Sequence, residues 1–72
     1  MKTLDGRAPH ALLERPVFHS DGSLLGHVAA VGSRHGELRR IGIEAPGPEP
    51  TPLRFVPRER LIVERDRVIV TP

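Results

Sequence analysis

The chain has 72 residues, of which 38% are hydrophobic and 3% aromatic, with no cysteine and a formal charge of +2 from eleven Lys+Arg against nine Asp+Glu. This length supports one small domain, which buries only about 60% of the surface its unfolded form exposes. A multidomain enzyme, a zinc ribbon and a disulfide-stapled miniprotein are excluded, and a bulky catalytic cleft is disfavoured.

Residues 1–15 are the least decided part. Pro9 and Pro16 bracket His10-Ala11-Leu12-Leu13-Glu14-Arg15. That stretch predicts either one or two helical turns, with Pro9 at a first-turn position, or an edge strand begun by Leu12 and Leu13. Residues 1–8 are expected to be mobile. No apolar run approaches the ~20 residues of a membrane-spanning helix, and with Asp5, Gly6 and Arg7 turning the chain polar no export signal is expected. The expectation is a cytoplasmic protein without membrane insertion.

Residues 16–72 read as a β domain. Val17-Phe18-His19-Ser20 predicts a short strand, and Asp21-Gly22 a hairpin turn, since glycine supplies the positive φ a tight turn needs. The next strand, Ser23 through Val31, breaks strict alternation: Leu25 and Val31 share a parity that Val28 does not. Gly26 predicts a bulge that returns Leu25 and Val28 to the core. Gly32-Ser33-Arg34-His35-Gly36 predicts a turn, and Glu37 through Glu44 a strand with Ile41 and Ile43 on one side and Gly42 leaving room for close approach. Four prolines within residues 45–52 forbid a ladder and predict a stiff loop. Leu53-Arg54-Phe55-Val56 predicts a strand with Leu53 and Phe55 inward, and Pro57-Arg58-Glu59-Arg60 a single helical turn. Leu61-Ile62-Val63 and Val68-Ile69-Val70 predict the last two strands around a Glu64-Arg65-Asp66-Arg67 turn. Short strands at roughly 8–12-residue spacing point to an all-β sandwich or barrel. A barrel leaves the fewest exposed edges.

In order, Pro16-Val17, Ser20-Asp21-Gly22, Leu25-Gly26-His27-Val28, Leu38-Ile41-Ile43, Phe55-Val56-Pro57 and Asp66-Arg67-Val68-Ile69-Val70 resemble the PRC-barrel family. That family is named for the cytoplasmic domain of the photosynthetic reaction-centre H subunit, and includes the C-terminal domain of a ribosome-maturation factor. The resemblance spans most of residues 16–71, and its most specific element is the D-G-x-L-L-G-x-V run. It implies a small six-stranded β-barrel with a short helical turn near the last two strands. It also implies a noncatalytic binding module, dimeric or seated on a protein partner. Two departures stand out: Ala30 occupies a place where many members carry an acid, and the proline-rich loop is unusually dense.

Chemistry-bearing motifs are few. His10, His19, His27 and His35 sit on separate elements, although His19 and His27 flank the Asp21 turn and are expected to approach each other. No metal-ligand spacing accompanies them, so all four are expected to be exposed and solvated. His19-Ser20-Asp21 imitates a triad, but neighbours in a strand point to opposite faces, so Asp21 is expected to shape the turn. Glu59, Glu64 and Asp66 alternate with Arg58, Arg60, Arg65 and Arg67 and read as surface ion pairs. No phosphate-cradling glycine motif occurs. No catalytic residue, cofactor or metal is therefore expected. An RNA or ribosomal-protein partner is the alternative, weakened because single-strand binders use stacking aromatics and both Phe read as core. Leu61, Ile62 and Val63 cannot all face inward on a regular strand, so Ile62 or Ile69 is expected at an interface, most simply of a homodimer.

Overall fold

β-Branched runs separated by glycine and proline turns fold into six strands: β1 (Pro16–His19), β2 (Leu24–Arg34), β3 (Glu37–Glu44), β4 (Arg54–Pro57), β5 (Leu61–Val63) and β6 (Val68–Val70). The structure is a computed structural model that describes residues 9–72, with Pro9 described by its backbone alone. The expected mobility of residues 1–8 lies outside the described residues. Two short 3-10 turns, Pro9–Leu12 and Arg58–Arg60, are the helical segments among the described residues. The strands form one mixed sheet in the order β4-β3-β2-β1-β6-β5. All neighbours are antiparallel except β1 and β6, which run parallel with Val17 beside Val68.

The all-β expectation holds, but the sheet is not closed into the expected barrel. β4 and β5 are consecutive in the chain, joined by the Arg58–Arg60 turn, yet they remain the two outer strands of the sheet. Pro57 ends β4 without a backbone donor, and the 3-10 turn redirects the chain before a ladder to β5 can form.

Leu12, Val17, Val28, Ile41, Ile43, Val56, Val68 and Val70 make the buried core, with Leu25, Val31, Leu38 and Leu61 packed against it. Fully burying each such aliphatic side chain contributes about 1.5–3 kcal/mol. Leu12 reaches this core from the first 3-10 turn. The following residues are tied to β2, because Glu14 N–H donates to the Val28 carbonyl at 2.8 Å and Val28 N–H to the Arg15 carbonyl at 2.9 Å.

Bulges resolve the uneven alternation of β2. Val17 lies opposite Gly26 and Phe18 opposite Leu24, so Leu25 is the extra residue. Gly26 has φ +146°, and a Cβ there would lie 1.9 Å from the Glu44 carbonyl oxygen. A second irregularity, between Val28 and Ala30, was not anticipated; with it, Val28 pairs with Ile43 and Val31 with Ile41 on the core side. β2 also runs on to Arg34, because His35 and Gly36 alone make the turn, at φ 54° and 79°. Two successive positive φ values match the right-handed twist of the flanking strands.

The side-chain parity of β4 is the reverse of the expected one. Val56 is buried opposite Ile41, whereas Phe55 is 58% exposed on the other face. A register difference of one residue exchanges every side chain between faces. Val56 completes the β-branched core, and Phe55 instead covers Gly42, whose added Cβ would stand 3.0 Å from the ring.

Candidate interaction surface

Three ladders align apolar side chains on the face of the sheet away from the core. Leu24 of β2 lies opposite Phe18 of β1, Phe18 beside Ile69 of β6, and Ile69 opposite Ile62 of β5. Their strand neighbours Val17, Val68 and Val70 point the other way into the core. The row therefore crosses four strands on one face. Its ends are open, with Leu24 51% and Ile62 48% exposed, while Phe18 and Ile69 are half-buried between them. The Arg67 guanidinium sits 5.8 Å from the Phe18 ring centre. Arg67 Nε donates to Glu64 Oε1 at 2.8 Å, and that bond with its charge raises the Arg67 pKa above its ordinary value. Ile62 and Ile69 are thus cross-strand neighbours. Phe18 and Leu24 join them only through the β1–β6 and β1–β2 registers, which residue spacing does not reveal.

The Asp21 turn holds the rim of this face. Asp21 Oδ1 accepts from the Ser23 N–H at 2.8 Å and from Ser23 Oγ at 2.7 Å. Gly22, at φ 95°, donates its N–H to the His19 carbonyl at 2.8 Å. The hydroxyl and N–H of Ser23 hold the Asp21 carboxyl below its ordinary pKa, helped by His19, whose Nδ1 lies 3.5 Å away. The carboxylate is therefore committed to the turn, and the hydroxyl it binds is that of Ser23 rather than Ser20.

The histidines separate. His19 turns to Asp21, and His27 Nε2 faces Glu44 Oε1 at 3.4 Å across the β2–β3 ladder. Among the described residues no group of three His, Cys, Asp or Glu converges as a metal site. At the open end of the sheet lies a cleft of about 400 Å³. Ile43, Val56 and Val70 form part of its wall, with His19, Arg54 and Arg60 among its polar lining and no carboxylate among the described residues. Arg60 is held there by donating from Nε to the Thr71 carbonyl at 3.1 Å.

A second aromatic lies at the far side of the sheet. Phe55 rests on Gly42, and the Arg40 guanidinium stands 5.3 Å from its ring centre. Neither Phe belongs to the core as expected: Phe18 is half-buried on the face away from it, and Phe55 is exposed. Among the described residues, no helix is long and apolar enough to cross a membrane. Compared with protein-family models and with curated proteins, the chain matches none.

Proposed function

We propose that the protein is a noncatalytic interaction module that associates with itself. The observation that carries this reading is the four-strand apolar row Leu24–Phe18–Ile69–Ile62 on the solvent side of the sheet. Water-facing sheet surfaces of monomers alternate with polar residues, and a contiguous apolar stripe across several strands favours a protein partner. The resemblance of the D-G-x-L-L-G-x-V run to PRC-barrel domains supports the same class, since those domains are mostly adaptors. Light scattering at high micromolar concentration tests the reading: a dimer is expected, and a strict monomer refutes it. Ile62→Arg should raise the dimer dissociation constant by about a hundredfold, because it replaces an apolar contact between the two copies with a charge. Its circular dichroism should stay native, since Ile62 lies outside the core.

The exposed Phe55–Arg40 pair favours a second reading, binding of single-stranded RNA. An aromatic face beside a guanidinium is the platform on which unstacked bases lie. RNA binding that weakens steeply with salt and falls about tenfold in Phe55→Ala supports it. Retention of a labelled oligonucleotide at equal strength by Phe55→Ala removes it.

A further inference from the structure

From the edge geometry and the charge order around β5, we infer that self-association proceeds by antiparallel pairing of β5 with β5 of a second copy, with Ile62 on the twofold axis. This rests on the proposed self-association and specifies its interface.

The two edges of the sheet are unequal. β4 carries Arg54 on its core-side parity, ends in Pro57 and follows Pro50 and Pro52. Proline and inward charge are devices that blunt an edge. β5 contains neither, and Ile62 and Val63 are 48% and 47% exposed.

The backbone of β5 is set for a partner. Thr71 N–H donates to the Arg60 carbonyl at 2.8 Å and Glu64 N–H to the Arg67 carbonyl at 2.9 Å. Antiparallel ladders alternate, so Ile62, in phase with residues 60 and 64, turns its own backbone groups to β6. Leu61 and Val63 therefore turn theirs outward. The Leu61 N–H is taken by the Arg58 carbonyl, so among the described residues the Val63 N–H and the Leu61 and Val63 carbonyls are the groups that face outward. In an antiparallel register centred on Ile62, each Val63 N–H meets the Leu61 carbonyl of the second copy.

That register also matches the charges. The sequence Arg58-Glu59-Arg60-Leu61-Ile62-Val63-Glu64-Arg65-Asp66 reverses its signs about Ile62. Centring there places Arg60 toward Glu64 of the second copy, an approach they make beside the bonds Arg60 Nε already donates to the Thr71 carbonyl and Glu64 Oε1 accepts from Arg67, with Glu59 toward its Arg65 and Arg58 toward its Asp66 in the bent flanks. Shifting the register by one residue would lose this match. The same centring covers Val63, the half-exposed member of the core-side parity, with Leu61 of the second copy. On the other face it brings Ile62 against Ile62 of the second copy and so joins the two Leu24–Phe18–Ile69–Ile62 rows end to end, with Leu24 and Phe18 outside the contact. Because the contact uses one edge of each copy and the β4 edge is blocked, edge pairing closes at two copies instead of growing into a fibre.

Val63→Pro tests the geometry, since it deletes an outward N–H while leaving the bonds to β6. Sedimentation should show the dissociation constant raised by about tenfold, with native circular dichroism. Arg60→Glu should weaken the dimer about threefold, and adding Glu64→Arg should restore it. A native protein that dimerises while both Val63→Pro and Arg60→Glu leave the constant unchanged overturns the β5 interface but not self-association. A native monomer overturns both. Should Val63→Pro unfold the domain, the charge exchange alone decides: failure of the double variant to recover the native constant overturns the register.

Discussion

Gly26→Ala is expected to destabilise the protein by at least about 3 kcal/mol, a large part of the roughly 4–11 kcal/mol available to a chain of this size. Two independent costs combine. At φ +146° an L-residue is strained by about 1–3 kcal/mol. The new methyl would also lie 1.9 Å from the Glu44 carbonyl oxygen and 2.7 Å from its carbonyl carbon. Those atoms are backbone of β3, so relief requires parting β2 from β3 beside the Val28–Ile43 pair. Gly22→Ala is the control: its φ is +95°, but nothing lies within 4 Å of the added Cβ. It should cost only about 1–2 kcal/mol, the conformational part alone. Urea unfolding of the two variants separates the effects. Equal losses in both would show that close approach of β3 is not what requires glycine at position 26.

Ile41→Ala is expected to cost about 2–5 kcal/mol, and Ile41→Val about 0.5–1.5 kcal/mol. Ile41 is fully buried and is the largest of the completely enclosed side chains. It pairs with Val31 on one side and Val56 on the other, so it ties β2, β3 and β4 into one core. The few aliphatic side chains around it leave little material to collapse into the void. For a domain of this size each kcal/mol moves the midpoint by roughly 4–8 °C, so thermal unfolding should show Ile41→Ala at least about 8 °C below the native protein. A shift under about 4 °C would mean that the core refills the space.

Much of the succession of strands along the chain was legible because its punctuation is local. Asp21-Gly22, His35-Gly36 and the prolines of residues 45–52 mark turns by their own backbone limits. Gly26 announced its bulge, being a lone glycine in an apolar run. The face of β4 was not legible: Leu53 and Phe55 on one parity compete with Val56 on the other, and alternation alone cannot choose between them. Ile41 chose, since its partner across the ladder is Val56. The surplus of Leu61-Ile62-Val63 over one face was visible, and with it Ile62 as an outward residue. Phe18 and Leu24 were not visible as its companions, because the parallel β1–β6 ladder joins segments about fifty residues apart in the chain.

By itself, the sequence determined an aliphatic all-β domain without disulfides, its turns, and the sign-reversing charge order around Ile62. Periodicity, glycine and proline are local restraints, and charge order is simply read. Only the tertiary structure decided that the sheet stays open, that among the described residues β5 rather than β4 offers a bare edge, and that Phe55 faces water. Those outcomes depend on which strands meet and in what register, and register is set by the core as a whole.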